Sequence, residues 1–137
     1  MKTILLAMLV TACGSSSTGA DAQGQGLALT VKNFDGWCAI TVEGGSATTL
    51  ATETVTVTTG TVTLTAKPAS SAFELGPAPW HDTTGDSGSG DPGTVTGSGA
   101  NAVSTTTVSG VTAAGKCVWA CCPFTSGSGC PTTDQCM

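Results

Sequence analysis

Apolar residues recur at every second position along much of this chain. Leu27, Leu29 and Val31 fall on one side of a first run, and after a turn over residues 33–36 the pattern resumes as Cys38, Ile40 and Val42. A repeat of two is the mark of a half-buried strand. Residues 43–46, with Gly44 and Gly45, have the chemistry of the turn that closes the second run. The clearest hairpin covers residues 54–66: Val55 and Val57 on one arm, Val62, Leu64 and Ala66 on the other, and a turn over residues 58–61 around Gly60. Threonine fills the intervening positions, which suits a sheet with one face on a core and the other in water. Pro68 ends the second arm. Residues 72–75 predict a short strand, residues 76–99 an irregular segment with three prolines, and residues 103–108 and 116–120 two further strands. No stretch of the mature chain has the spacing of an amphipathic helix.

The first 26 residues depart from this alternation. Lys2 precedes an unbroken apolar run over residues 4–10, a signal-peptide core at the short end of its range. A bilayer-spanning helix needs about 20 apolar residues, so the run is a signal and not a span. Residues 14–26, rich in Gly and Ser, read as a flexible tether with a root-mean-square reach of roughly 20 Å. The domain organisation is then a signal peptide over 1–12, a tether over 13–26 headed by Cys13, whose lipidation the motif described below implies, and one β-rich domain over 27–137.

Composition narrows the function classes. Charged residues are only 9% of the 137, the net charge is −5, and the four basic residues are all lysines far apart in sequence. Without a basic patch, a nucleic-acid partner is argued against.

Leu9, Val10, Thr11, Ala12 and Cys13 resemble the lipobox of bacterial lipoproteins, a branched apolar residue and two small ones before an invariant cysteine. The resemblance implies cleavage before Cys13 and thioether-linked lipid on its sulfur, so that the membrane is the first partner. Gly14, not an aspartate, follows the cysteine, which by the same analogy directs the protein to the outer membrane. Residues 60–80, GTVTLTAKPASSAFELGPAPW, resemble the divergent internalin-type B repeat of bacterial surface proteins. That resemblance implies a small surface β domain of β-grasp-like fold and carries over no functional residue.

Seven cysteines are an odd number for an exported protein. Setting Cys13 aside leaves Cys38, Cys117, Cys121, Cys122, Cys130 and Cys136, which can all pair. Five of them lie in the last 21 residues, so complete oxidation requires Cys38 to bond one of those five. Six cysteines allow 15 connectivities and the sequence does not choose among them. Adjacent Cys121 and Cys122 take different partners. Paired short spacings of the zinc type are missing, so disulfides are favoured over a metal.

The most chemically suggestive stretch is PAPWHDTTGDSGSGDPG, residues 77–93. Its aspartates read as turn formers. The functional alternative is a calcium ion held by Asp82, Asp86 and Asp91, which would make the domain a calcium-stabilised adhesion module. His81 is the one histidine, and no nucleophile motif accompanies it, so a hydrolase or toxin-like effector is disfavoured and no other cofactor is implied. Trp37, Trp80 and Trp119 read as packing residues, the first and the last within two residues of a cysteine. The expectation is an all-β, disulfide-stapled domain, either a β-sandwich or β-grasp-like. It would be a non-enzymatic structural or binding protein of the bacterial envelope, with a protein or polysaccharide partner betrayed by an exposed apolar or aromatic patch.

Overall fold

A computed structural model of the chain describes residues 26–83 and 90–137; Cys13, the lipobox, the tether before Gly26 and Asp86 lie outside them. Eight strands follow in order: β1 (Leu27–Asn33), β2 (Cys38–Val42), β3 (Thr52–Val57), β4 (Thr61–Pro68), β5 (Trp80–His81), β6 (Thr94–Thr96), β7 (Val103–Ser109) and β8 (Lys116–Ala120). They form two four-stranded sheets, β3-β1-β8-β5 and β2-β4-β7-β6. Of the two architectures expected, the sandwich is the one formed. Among the described residues the helical segments are single 3-10 turns at Phe34–Gly36 and Gly99–Asn101.

The alternation read from the sequence assigns the core faces. Leu29 and Val31 of β1, Cys38 and Ile40 of β2, Val62, Leu64 and Ala66 of β4, Val108 of β7 and Val118 of β8 are all buried in one cluster between the sheets. Leu64, with no exposed surface, removes a whole Leu side chain from water, a gain of about 1.5 to 3 kcal/mol. Their threonine neighbours line the outer faces, as Thr61 and Thr63 do in β4.

The pairing differs from the expectation. Residues 54–66 do not form a hairpin: β3 pairs with β1, and β4 pairs with β2 and β7 in the opposite sheet. Val57 and Val62 face each other's layer from opposite sheets, an arrangement that gives the same period-two pattern as a hairpin. Residues 58–60 therefore cross the sandwich, and Gly60 O accepts the Val111 N–H at 3.1 Å. Residues 72–75 do not form a strand either. Phe73 makes one isolated bridge to Phe124: residues 71–72 before it are in a turn, and Pro77 after it has no N–H to extend a ladder. Conversely, the segment 76–99 contains the short strands β5 and β6.

Crossing from β1 to β2 depends on one side chain. Buried Asn33 donates from Nδ2 to Cys38 O at 2.7 Å and accepts the Cys38 N–H on Oδ1 at 3.1 Å, clamping the two ends of the turn. Inside the turn Gly36 has φ 72°, and a Cβ there would lie 2.6 Å from Thr49 O, so glycine is required.

Three disulfides join Cys38 to Cys122, Cys117 to Cys136 and Cys121 to Cys130. Cys38 does reach the C-terminal segment, across a sequence separation of 84, and Cys121 and Cys122 do take different partners.

Candidate functional site

The aspartate-rich loop is tied into the sandwich from both ends. Trp80 is fully buried at the start of β5, and its indole Nε1–H donates to Ser104 Oγ at 2.9 Å. The same hydroxyl donates to Pro92 O at 2.7 Å. Asp91 and Trp80 exchange backbone hydrogen bonds at 2.7 and 3.2 Å. The Asp91 carboxylate accepts three more: Thr83 Oγ1 at 3.0 Å, Gly93 N at 2.8 Å and a short bond from Thr106 Oγ1. Burial alone would raise its pKa, but the hydrogen bonds from Thr106, Gly93 and Thr83 outweigh it and hold the group below its ordinary value of 3.8. Asp91 thus acts as a staple between the loop and β7.

Of the other members of the calcium alternative, Asp82 groups with a different set of residues. Asp82 sits in a left-handed turn at φ 64°, and its carboxylate lies within 4.8 Å of Asp134 and the Cys136 sulfur. That sulfur is bonded to Cys117 and is not a thiolate ligand. Asp86 is outside the described residues. His81 stacks face to face on Trp119, centroids 3.7 Å apart and planes 9° from parallel, at the rim of a cleft of about 220 Å³ that also includes Pro77, Pro123 and Cys130. Of the titratable groups described in this stretch, His81 and Asp91 are engaged in contacts within the fold.

Two features were not foreseen. First, all three phenylalanines gather around Trp37: Phe34 at 5.1 Å, Phe73 at 5.4 Å and Phe124 at 4.7 Å between centroids. Phe124 is 41% exposed, the others half-buried. The cluster is a satellite core that fastens two loops to the head of β2; Glu74 N bonds Pro123 O at 2.9 Å and Thr125 N bonds Ala72 O at 3.1 Å. Phe34 and Trp37 share one turn, Phe73 and Phe124 come from segments far from it and from each other, and no periodicity links them.

Second, the two sheets part along one side, where β3 and the end of β2 border a cleft of about 350 Å³ lined by Val42, Glu43, Val55 and Val57. Thr56, Thr58 and Thr59 complete its lining, so its valines sit among hydroxyls and one carboxylate. The alternation in β3 marks Val55 and Val57 as inward, but it carries no sign that the strand is an edge.

The chain matches no known protein family, no curated protein and no solved structure.

Proposed function

We propose that this chain is a lipoprotein of the bacterial cell envelope, held to the outer membrane by acyl chains on Cys13 and presenting a non-enzymatic binding domain on a flexible tether. The observation that carries the anchor is the disulfide pattern. The six cysteines at positions 38, 117, 121, 122, 130 and 136 pair among themselves, so no other cysteine of the chain is left to bond Cys13. Cys13 is also the one that follows Leu9–Val10–Thr11–Ala12. Two or more acyl chains give stable anchoring where one gives only marginal binding.

A binding role is supported by what the suggestive side chains are doing. His81 is stacked on Trp119 and the Asp91 oxygens are taken by threonine hydroxyls and a backbone amide, which is the work of a scaffold. The partner is a protein or a polysaccharide of the envelope.

The test is the intact mass of the full chain expressed in a bacterium and extracted from membranes, before and after reduction and alkylation. The expected mass is that of residues 13–137 plus acyl chains, with six alkyl groups added only after reduction. Cys13→Ser should abolish incorporation of labelled palmitate and release the domain from the membrane fraction. An unacylated wild-type chain would overturn the anchor.

A further inference from the structure

Four strands end the two sheets, and exposed strand edges invite pairing with other chains unless they are short, covered or charged. Three of these edges are blunted. At β2, Thr48 exchanges two backbone hydrogen bonds of 2.8 Å with Ile40. At β5 the strand has two residues, and Asp91 exchanges bonds with Trp80. At β6 there are three residues between Gly93 at φ 61° and Gly97 at φ 76°. The fourth, β3, has six residues in regular pairing with β1; its one charge, Glu53, bars an uncharged or acidic strand but not one with a matching cation, and among the described residues nothing pairs with its outer side.

The direction of its free groups follows from one bond. Asn33 N donates to Ala51 O at 2.9 Å, which makes residues 33 and 51 a hydrogen-bonded pair of the antiparallel ladder. Alternation then turns the N–H and C=O of Glu53, Val55 and Val57 toward β1, and those of Thr52, Thr54 and Thr56 outward. The inward side chains are Glu53, Val55 and Val57, and the cleft of about 350 Å³ lies beside the last two. An incoming strand bonded to Thr52, Thr54 and Thr56 would direct every second side chain toward that cleft, as strand-addition sites do. Its charged borders are acidic, Glu43 on the cleft and Glu53 along the strand. The lysine nearest in register, Lys32 opposite Thr52, gives its ammonium to Gln135 O at 2.5 Å.

We infer that β3 is a strand-addition site for an extended segment of a partner protein. Antiparallel to β3, that segment carries apolar side chains opposite Val57 and Val55 and a basic one opposite Glu53. The acidic border and the net charge of −5 on each copy disfavour a second copy as occupant. This deepens the binding role proposed above and is independent of the lipid anchor. An unacylated Cys13 would leave the peptide result standing, and a failed peptide titration would leave the mass of the anchored chain unchanged.

The probe is a fluorescent peptide, Thr-Val-Thr-Val-Thr-Lys-Thr, titrated into the purified full-length chain alongside a counterpart with Glu for Lys and another N-methylated on alternate residues. The expected result is saturable binding of the first, weakened about tenfold or more in the other two, as the loss of a charge pair or of backbone bonds implies. Thr54→Pro removes an outward N–H, leaves the backbone ladder to β1 and loses from that pairing only the exposed Thr30–Thr54 hydroxyl bond of 3.2 Å, and should weaken binding by about tenfold. If that variant fails to fold, hydrogen exchange on the wild-type chain decides: the peptide should protect the amides of Thr52, Thr54 and Thr56 above all others. No binding at millimolar peptide, equal binding of the acidic counterpart, or protection elsewhere would overturn the proposal. So would a dimer of the free chain that Thr54→Pro dissociates.

Discussion

The body of the sandwich and the C-terminal segment are held by different means. Up to Ala120 the chain runs through eight strands whose inward valines, leucines and isoleucine bury one another. Residues 121–137 contain no strand, and beyond Cys122 and Pro123 every residue is at least partly exposed. Yet this segment carries four of the six half-cystines, and a bond from it reaches β2, another β8. A chain segment with little apolar surface to bury is fixed here by constraining its unfolded ensemble instead. The satellite cluster around Trp37 is where the two means meet, since Phe124 belongs to the tail and Phe73 to the body loop.

The sharpest way to break that division is to remove the bond that spans it. Replacing Cys38 and Cys122 together by alanine opens the longest loop, with a separation of 84. The chain-entropy treatment gives a loss of about 4 to 5 kcal/mol for this bond, against about 3 for Cys117–Cys136 and slightly less for Cys121–Cys130. Urea midpoints of the three double variants should fall in that order. An equal loss in all three would mean that native packing around the bonds, and not loop length, sets their contribution.

Second in size is the anchor of the acidic loop. Trp80→Ala empties the largest fully buried site in the body, and core Trp or Phe deletions cost about 3 to 5 kcal/mol. It also leaves Ser104 without its indole donor. The three disulfides should still form, which mapping of cysteine pairs by mass spectrometry would check. Scrambled bonds would show that the body templates the tail.

Third, Asn33→Ala removes two buried hydrogen bonds at the β1–β2 crossing and strands the Cys38 N–H and C=O, an expected loss of about 2 to 3 kcal/mol. Asn33→Asp keeps the acceptor and loses the donor, so it should lie between wild type and alanine in thermal midpoint. A harmless Asn33→Ala would mean that the Cys38–Cys122 bond alone holds the crossing.

These residues also mark how far the sequence is legible. Faces were readable, because Leu29, Ile40, Val57 and Leu64 can point inward only if the period is two, and all four do. Neighbours were not, because the same period fits a hairpin and two facing sheets equally, and β3 and β4 proved to be the second. Parity forced Cys38 toward the tail, but its choice of Cys122 depends on where β2 meets the end of β8, which no spacing encodes. Around the candidate sites the signal was weaker still. Ser104 and Thr106 are polar residues at inward positions of β7, a break in the alternation that foreshadowed the Trp80 and Asp91 bonds. The openness of the β3 edge depends on what the other strands do and has no local signature.

The smallest effect belongs to Asp91, and its dependence on pH separates a charged staple from a turn former. Because the folded pKa lies below the unfolded value near 3.8, ionised Asp91 stabilises the fold fully above that pH. The contribution is lost as pH falls through the folded pKa, when the protonated carboxyl accepts more weakly from Thr83, Thr106 and Gly93. Asp91→Asn should therefore lower the thermal midpoint near neutral pH, and the gap to wild type should close below about pH 4. Asn retains the side chain's ability to form the local turn, so a gap that stays constant down to the acid limit would assign Asp91 the bland role its position in a Gly-rich loop first suggests. A closing gap leaves the loop fixed by charge-assisted bonds to β7, a third means of attachment beside the apolar core and the disulfides.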